Sequence, residues 1–174
     1  KSKEGKSKNN IAVLYAVGEI TEAVTSPYSM DKSITEKVAK ELIKLKEDES
    51  IKAVVLRVNS RGGSAFTYEQ RWKQVLEFKK VKPIVVSMGD VAASGGYYIS
   101  CAANKIVAEP NTLTGSIGIF GMFPNMTGLF NKVALTTDVV KTNTYADLGD
   151  VSRPMREDEK ALIQGRIESG YDTF

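Results

Sequence analysis

The 174-residue chain contains no histidine and a single cysteine. Every His-dependent catalytic triad is thereby excluded, as are ordinary His/Cys zinc sites, and no metal site is expected. Acid–base chemistry would have to run on Lys, Asp, Glu or Tyr. One cysteine forms no intrachain disulfide, so cysteine usage says nothing of redox compartment. Long hydrophobic runs are missing too: Ile11 to Val17, the longest strongly apolar stretch, falls far short of the roughly 20 residues a spanning helix needs. It does not follow the pattern of a secretory signal, because Val17 leads into Gly18-Glu19-Ile20 and not into a small-residue cleavage site. The stretch is expected to be soluble as written, with any membrane anchor elsewhere in a longer gene product. Charge of one sign is also scarce. The net +3 comes from 24 basic and 21 acidic residues, and Lys1, Lys3, Lys6 and Lys8 against Glu4 supply all of it. A neutral body without a basic stripe argues against a nucleic-acid partner.

What is present is globular: 42% hydrophobic and 26% charged residues. A chain of this size buries roughly two-thirds of its unfolded surface, enough for a core without disulfide or metal. Residues 1–10 read as a polar leader or linker and 11–174 as one folded domain. Ile11 to Val17, ended by Gly18, suits a strand buried on both faces. After a loop at Ser26-Pro27, Ser33 and Glu36 have capping-box spacing, and Ile34, Val38, Leu42 and Leu45 recur at helical intervals. Ala53 to Val58 is a strand. A second helix carries Tyr68, Trp72, Val75, Leu76 and Lys79, and Pro83 to Met88 returns to strand. Further on, the pattern predicts a short buried helix over Tyr97 to Ala103, a strand at Lys105 to Ala108, a β-rich run from Thr112 to Gly121 and a short helix over Asn125 to Lys132. It then predicts a strand at Thr136 to Val140 and a helix from Arg156 to Phe174. That last helix has no stop signal, so the natural sequence is expected to continue. Strands alternating with helices predict an α/β fold with a largely parallel sheet and right-handed crossovers.

Two glycine-rich stretches could carry chemistry. Ala92-Ala93-Ser94-Gly95-Gly96 puts a serine among small residues at a loop-to-helix junction, close to the Gly-x-Ser-x-Gly elbow. Such a turn holds a hydroxyl out beside backbone N–H groups that stabilise an oxyanion; equally, Ser94 could simply cap the helix. Asn59-Ser60-Arg61-Gly62-Gly63-Ser64 follows a strand and precedes a helix, where open α/β sheets gather ligands, though a tight turn alone would also need paired glycines. It lacks Walker spacing, and Gly115, Gly118 and Gly121 lack the dinucleotide pattern. Without histidine, the reasonable base for a serine is a lysine made neutral by burial and held by hydroxyls. Lys141, after Val139-Val140 and before Thr142, is the best placed, against the alternative of a solvated surface charge. Cys101 reads as a buried structural thiol.

Taken together, Val58 to Ser64, Met88 to Tyr98 and Thr112 to Gly121 resemble, in order, the three signature stretches of the signal peptide peptidase A, or protease IV, family of bacterial serine proteases. The resemblance covers nearly everything from Ile11 onward. It implies a Clp protease/crotonase-like α/β fold of repeated β-α units and makes residues 11–174 a peptidase domain truncated at its C-terminus. It also implies Ser94 as nucleophile, Gly62 or Gly63 with Gly95 at the oxyanion, and Ser116 helping to hold a catalytic lysine. Arg61 stands where the family motif has proline. Lys141 matches the short-form lysine, but the stretch Lys141 to Asp147 looks more like the C-terminal half of the duplicated long form, whose base comes from the other half. The implied function is a serine endopeptidase acting by a Ser-Lys acyl-enzyme mechanism on apolar peptides such as released signal peptides, without cofactor. The implied setting is a homo-oligomer on the bacterial inner membrane, anchored outside this segment, with the catalytic domain beyond the cytoplasm. A non-catalytic scaffold domain of an oligomeric ring and a crotonase-like acyl-CoA enzyme are the alternative readings.

Overall fold

A computed structural model of the chain describes residues 9–21, 33–34 and 36–174. Most of the leader, the Ser26-Pro27 loop and the side chains of the Ser33/Glu36 pair lie outside the described residues. The chain divides into two compact units, Lys1–Ile117 and Gly118–Phe174.

The first unit alternates strand and helix. Its elements are β1 (Asn10–Val17), β2 (Glu19–Ile20), β3 (Ser33–Ile34), α1 (Glu36–Glu47), β4 (Ile51–Ser60), α2 (Ala65–Lys79), β5 (Ile84–Ala93), α3 (Gly95–Cys101), β6 (Lys105–Val107) and β7 (Leu113–Gly115). The main sheet runs β1-β4-β5-β6, with β7 on the far end of β5, and every pairing is parallel. The β-branched and aliphatic runs of β4 and β5 explain its centre. Val54, Leu56 and Val58 on β4 and Ile84, Val86 and Met88 on β5 turn one face inward, each at most 2% exposed. Ala39 and Leu42 of α1 and Val75 and Phe78 of α2 join the same core. Each fully buried aliphatic side chain here contributes about 1.5–3 kcal/mol of transfer free energy.

Three expectations need correction in this unit. β1 is not buried on both faces: Ile11, Val13 and Tyr15 are 67%, 55% and 66% exposed. Among the described residues it lies at the edge of the sheet with β4 as its one neighbour, so the alternation reaches the core through residues such as Ala16. Cys101 is exposed, because the buried face of α3 belongs to Tyr98 and Ile99 and continues to Ala102. Only Leu113–Gly115 of the glycine-punctuated run is strand.

The second unit holds α4 (Thr127–Lys132) and α5 (Glu157–Thr173). Thr136 to Val140 is not a strand, and Val140 is 98% exposed. Among the described residues this unit offers no strand to pair with, and β-propensity without a partner ladder does not hold a strand.

Candidate active site

The site grows from an irregularity between the two central strands. Val58 pairs with Met88 but Ser60 pairs with Ala92, so β5 carries two extra residues opposite Asn59. The bulge is pinned from both sides. Val91 N–H donates to Asn59 Oδ1 at 3.1 Å, Thr112 Oγ1 donates to the Gly89 carbonyl at 2.9 Å, and Thr114 Oγ1 donates to the Ala92 carbonyl at 2.8 Å. Gly89 is required where the Asn59 side chain passes, since a Cβ there would lie 2.9 Å from Asn59 Cβ.

Ser94 sits directly after this pinned segment, between β5 and α3, with φ +49° and ψ −122°. For a residue with a Cβ that backbone is strained. Its side chain makes no capping hydrogen bond, which removes the plain N-cap reading. Two neighbours fix the turn: Ser94 N–H donates to the Gly115 carbonyl at 2.8 Å, and Tyr98 N–H donates to the Ser94 carbonyl at 2.9 Å. The first of these brings Ser116, itself at φ +52°, beside the turn.

The loop after β4 closes over the serine. At Gly62, with φ +101°, a Cβ would come within 2.8 Å of Gly95 N, 2.9 Å of Ser94 Cβ and 3.2 Å of Ser94 Oγ, so only glycine permits this approach. Gly63 forms an isolated parallel bridge with Ile20. The space beneath α3 is equally tight: a Cβ on Gly95 would lie 2.7 Å from Tyr68 Cδ1, and one on Gly96 would lie 2.7 Å from the Ser60 carbonyl oxygen. The Tyr68 and Tyr98 rings pack at a tilt of 43° with centroids 4.7 Å apart, and Trp72 lies 5.9 Å from Tyr98. Burial, then the hydrogen bond Tyr98 donates to the Glu69 carboxylate, pushes the Tyr98 phenol well above its usual range.

Of the candidate residues, the structure thus gathers Ser94, Gly62, Gly63, Gly95 and Ser116 within the first unit. Lys141 belongs to the second. There its Nζ donates to Asp147 Oδ1 at 2.8 Å and to the Thr144 carbonyl at 3.3 Å. The Asp147 carboxyl also binds Arg153, and Arg153 forks onto Glu159 at 2.7 and 2.8 Å. Glu159 further accepts the Arg156 N–H at 2.8 Å. The Lys141 hydrogen bond, followed by Arg153, holds the Asp147 carboxyl down to about 2. Arg153 first, and the Arg156 amide second, hold Glu159 down to about 2. Lys141 is thus held in an ion-pair network inside the second unit. Its pairing was not foreseen from the sequence, although the alternating signs of Lys141, Asp147, Arg153 and Glu159 were there to be read. Asn59 was quoted within a motif without a role, because the bulge it pins is a property of strand register.

Comparison with known proteins bears on a strand-to-helix serine of this kind. The model of peptidase family S49 matches residues 77–174, more than half of the chain. The chain belongs to peptidase family S49. The Clp protease model matches residues 7–114, in agreement with the Clp-like α/β fold that the motifs implied. Among curated relatives, Protease 4 of Haemophilus influenzae is 41% identical over 167 residues, covering 95% of this chain and 26% of that protein. The chloroplastic serine protease SPPA of Arabidopsis thaliana is 35% identical over 170 residues, covering 96% of this chain and 25% of that protein. The chain therefore spans about a quarter of the length of these relatives. A solved membrane-bound stomatin-specific protease is 18% identical with a TM-score of 0.49, over 68% of this chain and 52% of that one. The match to the S49 model takes in two of the three motif stretches, Met88 to Tyr98 and Thr112 to Gly121.

Proposed function

We propose that this S49 chain is the nucleophile-bearing part of a serine endopeptidase. The observation that carries the reading is Ser94: a half-buried serine at a strained strand-to-helix turn, its hydroxyl unused as a cap and lying against Gly62. Ser94 Oγ attacks the peptide carbonyl carbon while its proton passes to a neutral lysine amine. The N–H groups of Gly63 and Gly95 receive the oxyanion. The tetrahedral intermediate collapses to a Ser94 ester, the lysine returns the proton to the leaving amine, and water then releases the acyl group. Ser116, beside the turn, helps to hold the lysine. Because Lys141 is engaged with Asp147, the lysine that serves as base comes from outside this chain, from another part of the full protein or from a neighbouring subunit.

The substrates in this reading are extended apolar peptides, such as signal peptides left after cleavage. Support comes from the few charges near Ser94 and from the exposed loop amides that could pair with a peptide backbone. The setting is a homo-oligomer at the bacterial cell envelope with its membrane anchor outside this segment. Among the described residues no helix is long and apolar enough to cross a membrane. The test is peptide hydrolysis by the intact protein with Ser94→Ala. Loss of turnover with an unchanged unfolding profile supports the reading, and near-normal turnover by a folded Ser94→Ala protein overturns it.

A further inference from the structure

The amides of the loop can be accounted for one by one. Ile20 N–H donates to the Gly62 carbonyl at 2.9 Å and Ser64 N–H donates to the Ile20 carbonyl at 2.9 Å. In a parallel bridge of this kind the residue between, Gly63, turns its own N–H away from the partner strand. Gly62 N–H is taken by the Ser60 hydroxyl at 3.1 Å. Of the three consecutive amides 62, 63 and 64, Gly63 is the one not used by these bonds, and Gly63 is exposed whereas Gly62 is buried. Ser60 is itself 2% exposed. It also touches the other half of the site: it is the strand partner of Ala92, and its carbonyl lies against Gly96 so closely that no Cβ fits there. One side chain and its peptide therefore tie the loop to both flanks of the Ser94 turn.

We propose that Ser60 is a positioning residue for hydrolysis: by accepting the Gly62 N–H, its hydroxyl fixes the loop so that the Gly63 N–H faces the Ser94 cleft as an oxyanion donor. This rests on Ser94 being the nucleophile. Without the hydroxyl, the buried Gly62 N–H loses its partner, and a buried donor turns toward any acceptor in reach. Ser94 Oγ is the adjacent one, 3.2 Å from where a Gly62 Cβ would stand. The loop then rotates, and the Gly63 donor leaves its place in the transition state while substrate contacts elsewhere persist.

The experiment compares Ser60→Ala, Ser60→Thr and Ser94→Ala in the intact protein, with sites titrated by a fluorophosphonate. The expected result for Ser60→Ala is a fall of about 10- to 100-fold in kcat per titrated site, with KM within about twofold. Affinity for a peptide aldehyde, which forms a tetrahedral adduct, falls by the same factor as kcat. Ser60→Thr, which keeps the acceptor, recovers most of the rate. If Ser60→Ala does not fold, Ser60→Cys, a weak acceptor, takes its place, and an intermediate kcat at unchanged KM is expected. An unchanged kcat per site overturns the proposal, as does a loss confined to thermal stability and the number of titratable sites. An active Ser94→Ala instead overturns the underlying reading, whereas an inactive Ser94→Ala beside an unaffected Ser60→Ala removes only the role of Ser60.

Discussion

At Ser94 the backbone angle carries a stability cost that the proposed chemistry accounts for. A non-glycine residue at φ +49° costs about 1–3 kcal/mol, and glycine relieves most of it at an unfolded-state cost of about 0.5–1 kcal/mol. Ser94→Gly is therefore expected to stabilise the protein by about 1 kcal/mol in denaturant unfolding while abolishing hydrolysis. A destabilised Ser94→Gly would mean that the turn is not strained. Gly62→Ala works in the opposite direction. Its Cβ meets Gly95 N at 2.8 Å on a backbone at φ +101°, so the loop must move off the serine. The expected outcome is a loss of about 2 kcal/mol together with a fall of more than about 100-fold in kcat, read by unfolding and by turnover. Unchanged kinetics in Gly62→Ala would separate the loop from the chemistry. Of these residues the sequence disclosed identity but not placement. Ser94 and Gly62 could be picked out by their small neighbours, but they are 32 positions apart, and their contact depends on β4 lying beside β5.

At the scale of elements, the alternation of β4 and β5 was legible because each run is long, apolar and bounded by glycine or proline. The extra residues in β5 were not, because a register shift depends on what the neighbouring strand offers, here the Asn59 carboxamide. β1 was misjudged for a related reason: a local run of apolar residues is the same whether the strand ends up central or at an edge. The Thr136 to Val140 stretch has strand composition but no ladder to join. α5, by contrast, was legible in its extent, and its first turn is held by Arg153 and Glu159 in a way that sets an acid limit. Both Asp147 and Glu159 have folded values near 2, below the ordinary carboxyl range of about 4. As pH falls from about 5, the unfolded state takes up protons first, so stability present at neutral pH is lost progressively down to about pH 2. Unfolding midpoints measured across that window should fall with pH. Glu159→Gln should lower the midpoint at pH 7 and flatten the slope. A pH-independent midpoint would show that the network contributes nothing to folding.

For the whole molecule, the sequence motifs sufficed for family and fold, since three separate stretches in the right order and at consistent spacing are far more specific than any one of them. They did not suffice for the base. Lys141 stood out by position alone, and its pairing with Asp147 inside the second unit was not part of that reading. On the proposed reading, in which the working amine comes from outside this chain, Lys141→Met in the intact protein is expected to weaken the second unit while leaving kcat per titrated site within about twofold. A loss as deep as that of Ser94→Ala would return the base to Lys141. The central claim is the nucleophile, and its most direct measurement is mass-spectrometric mapping of the adduct formed when the intact protein reacts with a fluorophosphonate. A single phosphonyl group on Ser94, absent in Ser94→Ala, is the expected result. A label on any other residue, or one that survives in Ser94→Ala, would contradict it.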